Sequence, residues 1–147
     1  MITGLSHVSI AVPSLEAAAK RLKELYGLEV GAAKVNEQQG VRLAYVELSN
    51  ARIELMEPSR PDSPISKFLE RNPNGGIHHF CLDVDDVAAT TGAVAGKGAR
   101  VLGDGSPQKN VHGERIAFMH PKDFLGALVE LEESKSKVEN RETKGKA

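Results

Sequence analysis

Two histidines and two glutamates recur at nearly equal spacing along the chain. A shift of 72 residues places His7 on His79, and a shift of 76 residues places Glu54 on Glu130. Imidazole and carboxylate ligands suit divalent Zn, Co, Ni, Fe or Mn, and four of them leave two octahedral positions open for a chelating substrate. The spacing therefore predicts a catalytic metal site held by these four residues.

Each of the four residues lies in a segment that alternates like a half-buried strand. In LSHVSIAV, apolar residues alternate with His7, so the imidazole is expected on the face away from the packed helix. The same alternation surrounds Glu54, His79 and Glu130. All four side chains are predicted on the helix-free face, where two repeats related by a pseudo-twofold axis would bring them together.

The pattern of strands and helices repeats with the ligands. Residues 4–57 read as a strand, a helix and three strands, residues 77–132 read the same way, and residues 58–76 connect them. The predicted fold class is α+β, with two paired βαβββ modules forming a curled mixed sheet around the metal site. Residues 1–133 are expected to form a single domain.

Capping and turn residues give the expected boundaries of the elements. Helices are predicted to begin at three capping positions: Ser14, Ser63, which is followed by Pro64, and Asp85 or Asp86. The strand-like runs that follow the helices lie at 28–35, 41–48, 52–57, 99–102, 115–119 and 127–131.

Charge and cysteine content exclude several classes of partner. The chain has 19 basic and 20 acidic residues, so its net charge of -1 gives no broad positive field for nucleic acid or an anionic membrane. No apolar run approaches the roughly 20 residues that span a bilayer. One cysteine cannot build a disulfide framework, which favours a cytoplasmic protein.

The segment from Glu132 is interpreted as a charged, solvated tail, with residues 134–147 outside the domain.

Other polar residues are expected to have structural or surface roles. His78 has the helix-facing parity of its strand and is expected to be structural, and Cys81 is expected to be a small apolar filler. His112, in a loop, is expected at the surface or beside the substrate. Three cations are available to contact a ligand but are interpreted first as solvated charges: Lys109, Lys122 and Arg115.

Four segments carry a resemblance to a known family. They are SHVSIAVPSLEAA, IELMEPSRPDSPISKFLERN, GGIHHFCLDVDD and FMHPKDFLGALVELE, and together they extend over about residues 4–133. The chain resembles the vicinal-oxygen-chelate superfamily, which includes glyoxalases, extradiol dioxygenases and fosfomycin-resistance proteins. Within it, the HPKD segment followed by GALVEL is similar to the methylmalonyl-CoA epimerase family.

This resemblance implies an isomerase that interconverts the two epimers of methylmalonyl-CoA. It implies one divalent ion per chain, of Co, Zn, Ni or Mn, held by His7, Glu54, His79 and Glu130. The carbon to be inverted lies between a thioester and a carboxylate, so loss of its proton gives an enolate that a cation can stabilise. The expected partners are an acyl-CoA substrate and a second copy of the chain in a homodimer.

The resemblance leaves the second proton-transfer group open. Some family members carry a glutamate, proposed as a base, at the position corresponding to Leu43, which cannot move a proton. Glu130 is the first candidate base, and Glu47 is a weaker one that could equally be an exposed charge at a strand end. His120 either orients the substrate or organises its turn.

Three rival functions remain at the sequence level. A lactoylglutathione lyase or related isomerase would use the same metal, but the HPKD segment favours the epimerase. An extradiol dioxygenase normally has three ligands to iron, so a fourth ligand at Glu54 counts against it. A binding or resistance protein without turnover is the third, because a fold does not fix a function.

Overall fold

The computed structural model describes residues 1–134 and has a strand, a helix and three strands in that order twice. The elements are β1 (Ile2–Ala11), α1 (Leu15–Tyr26), β2 (Lys34–Asn36), β3 (Val41–Glu47), β4 (Arg52–Pro58), α2 (Pro64–Arg71), β5 (Gly76–Val84), α3 (Val87–Ala95), β6 (Gln108–Lys109), β7 (Arg115–Met119) and β8 (Val129–Glu133). A short 3-10 helix, Pro121–Asp123, lies between β7 and β8. The predicted α+β fold with two βαβββ modules is confirmed. None of the helices in this part of the chain has the length and apolar character that a bilayer crossing requires.

The chain divides into two compact units whose boundary falls within β1 and β5. One unit is residues 7–80, in which the strand order is β2-β3-β4-β1-β5. The other contains residues 1–6 and the chain from Cys81, with the order β1-β5-β8-β7-β6. In the first unit β1 runs parallel to β4 and β3 runs antiparallel to both its neighbours, so the sheet is mixed. The two compact units do not coincide with the two sequence repeats. The repeats are separated by the connector, whereas each compact unit contains one end of β1 and one end of β5.

The predicted helix starts are confirmed by their caps. The side chains of Ser14, Ser63 and Asp86 each accept a backbone N–H from the first turn of a helix, at 2.8 to 3.3 Å. Of the two aspartates considered for α3, Asp86 is the cap. Gly27 ends α1 in the left-handed conformation with φ of 66°.

The packing of α1 determines which face of its unit is free for a site. The buried cluster beneath α1 consists of Val12, Leu15 and Leu55, with Ile10, Ala18, Leu22, Val30 and Ile53 packed against it. Because successive strand side chains point to opposite faces, residues next to these in sequence lie on the other face of β1 and β4. That face carries His7, Ser9 and Glu54.

The duplication extends to a pair of half-buried glutamates that the sequence pattern did not single out. In one unit Glu57 accepts a hydrogen bond from the backbone N–H of Leu15, at the start of α1, and pairs with Arg42 at 2.8 Å. In the other unit Glu133 accepts from the N–H of Val87, at the start of α3, and pairs with Arg115 at 2.9 Å. A carboxylate at a helix N-terminus is favoured by the exposed N–H groups and the helix dipole.

Three boundary predictions are wrong. The run 28–35 yields only the short β2. Before it, the backbone N–H of Gly31 donates to the oxygen of Tyr45 on β3 at 2.9 Å, and Val30 packs against the cluster beneath α1. The run 99–102 contributes a single bridge at Val101. The charged tail does not begin at Glu132, which is only 3% exposed within β8 and whose carboxylate accepts hydrogen bonds from Ser6 and Asn110. Residues 135–147 of the predicted tail lie outside the described residues.

Replacing Gly75 with alanine is expected to destabilise the fold. Gly75 precedes β5 with φ of +87°, and an added Cβ would lie 2.6 Å from the backbone oxygen of Ala11 on β1. Left-handed strain and this overlap should together lower the free energy of unfolding by about 2 kcal/mol or more. Urea denaturation measures the change.

Gly92→Ala in α3 is the matched control for that experiment. A Cβ at Gly92 would meet nothing within 4 Å, so the higher helix propensity of alanine should raise the free energy of unfolding by about 0.5–1 kcal/mol. Equal effects of the two substitutions would contradict the close approach of Gly75 to β1.

Candidate metal centre

Three of the four predicted ligands converge within the unit of residues 7–80. His7 on β1, Glu54 on β4 and His79 on β5 each offer one ligand atom, and these atoms all lie within 4.8 Å of one another. The register places Ser9 opposite Glu54, so the carboxylate projects beside the β1 residues of the same face. The strand alternation read from the sequence therefore brings these three side chains together.

The three side chains are buried, so their hydrogen bonds must replace the water that they lose. His7, Glu54 and His79 are exposed by 1%, 6% and 5%. A buried ionisable group is costly unless hydrogen bonds, an opposite charge or a metal compensates for lost hydration. Three adjacent buried side chains of this kind therefore need such partners.

Two hydroxyl groups fix the carboxylate of Glu54. The Ser9 hydroxyl donates to Oε1 at 2.7 Å, and the Tyr45 hydroxyl donates to Oε2 at 2.7 Å. Oε1 also lies 3.8 Å from Nε2 of His7. With one oxygen held by Tyr45, the other is directed toward the histidines. Hydrogen bonds of this kind orient ligands in metal sites and raise their affinity.

Ser9 and Tyr45 were missed in the sequence, although both carry a recognisable signal. Ser9 shares the strand parity of His7, and Tyr45 shares the face of β3 with Leu43. The ring of Tyr45 also contacts the Arg52 guanidinium, which lies 4.4 Å from the ring centroid. Polar residues of the same parity as a predicted ligand are therefore candidates to orient it.

Tyr45→Phe is expected to weaken divalent-metal binding by roughly tenfold with little change in fold. The substitution keeps the ring and its contact with Arg52 but removes the donor to Glu54 Oε2, so the carboxylate gains freedom to rotate. Isothermal titration with Zn²⁺ or Co²⁺ measures the change. Tyr26→Phe, which alters an exposed hydroxyl at the end of α1, is the control. Unchanged affinity in Tyr45→Phe would contradict the orienting role of Tyr45.

Both ring nitrogens of His79 have neighbours in the same unit. Nε2 lies 3.0 Å from the Ser9 hydroxyl, and Nδ1 lies 2.8 Å from Nδ1 of His78. The His78 ring in turn meets Phe68 of α2 edge to face, with centroids 5.1 Å apart, which agrees with its predicted helix-facing parity. Burial and the neighbouring His79 lower the pKa of His78 to about 4, so its ring is neutral at neutral pH.

The fourth predicted ligand, Glu130, lies on β8 in the other unit and is 5% exposed. Cys81 of that unit is also buried, as expected of a small filler. Burial, followed by the charges of Glu130 and Glu132, raises the pKa of the Cys81 thiol. A thiol held protonated in this way is a poor nucleophile.

The weaker catalytic candidates occupy less enclosed positions. Glu47 is exposed at the end of β3, and Leu43 is buried on the same strand. His120 caps the 3-10 helix, where its Nδ1 accepts the N–H of Lys122 at 3.1 Å. Nδ1 of His120 therefore takes part in the turn.

The cations and the loop histidine considered from the sequence lie at the surface. Arg115 pairs with Glu133, as described above, whereas Lys109 and Lys122 have exposed side chains. The backbone N–H of His112 donates to Asn110 in the turn between β6 and β7, and its side chain is exposed.

The donor set fits a divalent ion. Two ligand atoms bound to one ion at about 2.1 Å can be at most about 4.2 Å apart. The 3.8 Å between His7 Nε2 and Glu54 Oε1 already meets this limit. Two imidazoles and a carboxylate suit Co, Zn, Ni or Mn. His7, Glu54 and His79 would hold the ion with only small side-chain movements.

Similarity to known proteins extends along most of the chain. Residues 6–118 match the family model of the Glyoxalase/Bleomycin resistance protein/Dioxygenase superfamily. The chain is 50% identical over 133 residues to the ethylmalonyl-CoA/methylmalonyl-CoA epimerase of Cereibacter sphaeroides, which covers 90% of this chain and 99% of the relative.

Solved structures show the same likeness. A methylmalonyl-CoA epimerase in complex with methylmalonyl-CoA and NH4+ is 38% identical, with a TM-score of 0.81 over 90% of this chain and 94% of the other. The methylmalonyl-CoA epimerase of Mycobacterium tuberculosis is 33% identical, with a TM-score of 0.83 over 95% of this chain and 93% of the other.

Proposed function

Because this chain belongs to the Glyoxalase/Bleomycin resistance protein/Dioxygenase superfamily, we propose that it is an epimerase that interconverts the (R) and (S) forms of methylmalonyl-CoA. The observation that carries the proposal is the 50% identity to an epimerase for this substrate along 99% of that relative. The buried His7, Glu54 and His79 group supports it, because proton removal beside a carbonyl is chemistry that such a group can assist.

The reaction requires removal and return of one proton at the carbon between the thioester and the carboxylate. A divalent ion held by His7, Glu54 and His79 would polarise the oxygens of the substrate's thioester and carboxylate and so acidify the α-hydrogen. We propose Glu130 as a further ligand, from its place in the duplicated pattern, and as the base. Glu47 and His120 are the alternatives for the second proton transfer, since Leu43 cannot perform it.

Ethylmalonyl-CoA is a second candidate substrate. The Cereibacter sphaeroides relative is named for both ethylmalonyl-CoA and methylmalonyl-CoA. The two substrates differ by one methylene on the inverted carbon, and a pocket discriminates such a difference by only about 1–3 kcal/mol. We therefore expect turnover of both substrates, with kcat/KM values within about two hundredfold of each other.

The epimerase proposal is tested by turnover of purified protein. The assay couples this protein to a mutase that consumes only one epimer of methylmalonyl-CoA. When the other epimer is supplied, it should be consumed only if this protein is added, because it must first be converted. The hemithioacetal of methylglyoxal and glutathione serves as the substrate of the rival lyase. Turnover of the hemithioacetal alone would replace the epimerase with the lyase, and turnover of neither would favour a binding protein.

We also propose that the protein is a homodimer. β2 stands at the edge of its sheet with Val35 48% exposed, and an open strand edge is a natural surface for pairing. Light scattering after size-exclusion chromatography should give twice the chain mass of 15.8 kDa. A monomer mass at micromolar concentration would contradict the dimer and leave the epimerase proposal intact.

A further inference from the structure

The hydrogen bonds around His79 define which of its nitrogens carries a proton. The Ser9 hydroxyl has a single proton, and it donates that proton to Oε1 of Glu54 at 2.7 Å. Toward Nε2 of His79, 3.0 Å away, the Ser9 oxygen can therefore only accept. While both contacts are made, Nε2 of His79 consequently carries the proton.

His78 must then donate to His79. A neutral imidazole has one protonated nitrogen and one lone pair. With the proton on Nε2, Nδ1 of His79 has the lone pair and accepts from Nδ1 of His78, 2.8 Å away. The resulting chain of donors runs from His78 through His79 and Ser9 to Glu54.

Metal binding requires the opposite tautomer of His79. A histidine that binds through Nε2 needs its lone pair there, and its Nδ1–H then donates to a neighbouring acceptor. We propose that His78 is a positioning residue whose Nδ1 changes from donor to acceptor when Nε2 of His79 takes up a divalent ion. This inference rests on the proposed metal site and not on the identity of the substrate.

The exchange conserves protons. The proton on Nδ1 of His78 moves to Nδ1 of His79, and the proton on Nε2 of His79 leaves to solvent. Nε2 of His78 takes one proton from solvent, so the pair of rings keeps its charge. His78 is half-buried, which leaves its ring open to exchange with water. Phe68 lies edge to face against it and limits how far the ring can turn.

The role of His78 differs from simple packing in two measurable ways. His78→Phe keeps an aromatic ring against Phe68 but removes the hydrogen-bonding nitrogen, and we expect Zn²⁺ affinity to fall roughly 10- to 100-fold. His78→Asn places an amide near the position of Nδ1, where it can donate or accept, and should restore most of that loss. Thermal denaturation in the presence of chelator shows whether each variant folds.

The tautomers themselves can be observed in the unaltered protein. Nitrogen-15 NMR of the histidine rings, recorded without metal and after addition of Zn²⁺, should show the proton of His79 moving from Nε2 to Nδ1 and that of His78 moving from Nδ1 to Nε2. A His79 that carries its proton on Nδ1 in both states would overturn the proposal. So would a folded His78→Phe variant with unchanged affinity for Zn²⁺. Neither measurement uses the epimerase reaction, so failure of the proposed function would appear separately, as absent turnover.

Discussion

Replacing His79 with alanine is expected to remove bound metal and to reduce epimerisation by about a thousandfold or more. His79 supplies one of the three ligand atoms that lie within 4.8 Å of one another, and its loss leaves a single imidazole with Glu54. The ion would contribute several kcal/mol of charge stabilisation, and each 1.36 kcal/mol corresponds to a factor of ten in rate. Metal content by elemental analysis and turnover on methylmalonyl-CoA measure the two effects.

His112→Ala is the control for metal content. It removes an imidazole from the exposed turn between β6 and β7, in the other unit, and should leave metal content unchanged. If His79→Ala retained one ion per chain while His78→Ala lost it, the assignment of the two neighbouring histidines would be reversed. The strand register read for β5 would then be wrong by one position.

Replacing Glu130 with glutamine is expected to lower the exchange of the α-hydrogen by about 10²- to 10⁴-fold, the contribution of a general base. Glutamine has nearly the same volume, so the buried position on β8 should still be filled. The amide oxygen can still approach a cation, but an amide cannot accept the proton. Metal content and exchange of the α-hydrogen with heavy water are to be measured together. Loss of exchange together with loss of metal would indicate a ligand role, whereas loss of exchange with metal retained would indicate a base role.

Glu132→Gln is the matched control for this experiment. Glu132 lies two residues further along the same face of β8, equally buried, and its carboxylate accepts hydrogen bonds from Ser6 and Asn110. Its replacement should lower stability without a loss of exchange comparable to that of Glu130→Gln. Retained metal with near-normal exchange in Glu130→Gln would exclude Glu130 as the base and direct attention to Glu47 and His120.

The convergence of His7, Glu54 and His79 could be predicted because strand alternation has a short and rigid period. Once Ile10 and Leu55 are assigned to the face beneath α1, the opposite face follows for every neighbour on β1 and β4. The duplication then carries the same parity to β5. Few other patterns in a sequence determine so directly where a side chain points.

The residues that orient the ligands could not be identified in the same way. Serine and tyrosine are common on strands, and only the register of β3 and β1 on β4 shows that Tyr45 and Ser9 meet the two oxygens of Glu54. The relation of His78 to His79 also depends on ring geometry that alternation does not describe. Adjacent strand residues point to opposite faces, yet their Nδ1 atoms are 2.8 Å apart.

The end of the domain differs from the prediction because a charged residue is not necessarily exposed to solvent. Glu132 and Glu133 begin a run of charged residues, but each carboxylate accepts hydrogen bonds within its unit. Glu133 repeats the position of Glu57 at a helix N-terminus, so the duplication continues further than the apolar pattern. The partners of a charged residue, more than its charge, decide where a strand ends.

The most direct test of the proposed function is to titrate metal-free protein with a divalent ion and follow exchange of the α-hydrogen of methylmalonyl-CoA with heavy water at each step. We expect exchange to be absent in chelator, to rise in proportion to bound ion, and to level off at about one ion per chain, the number that His7, Glu54 and His79 can hold. Full exchange in protein kept metal-free by chelator would contradict a metal-dependent epimerase.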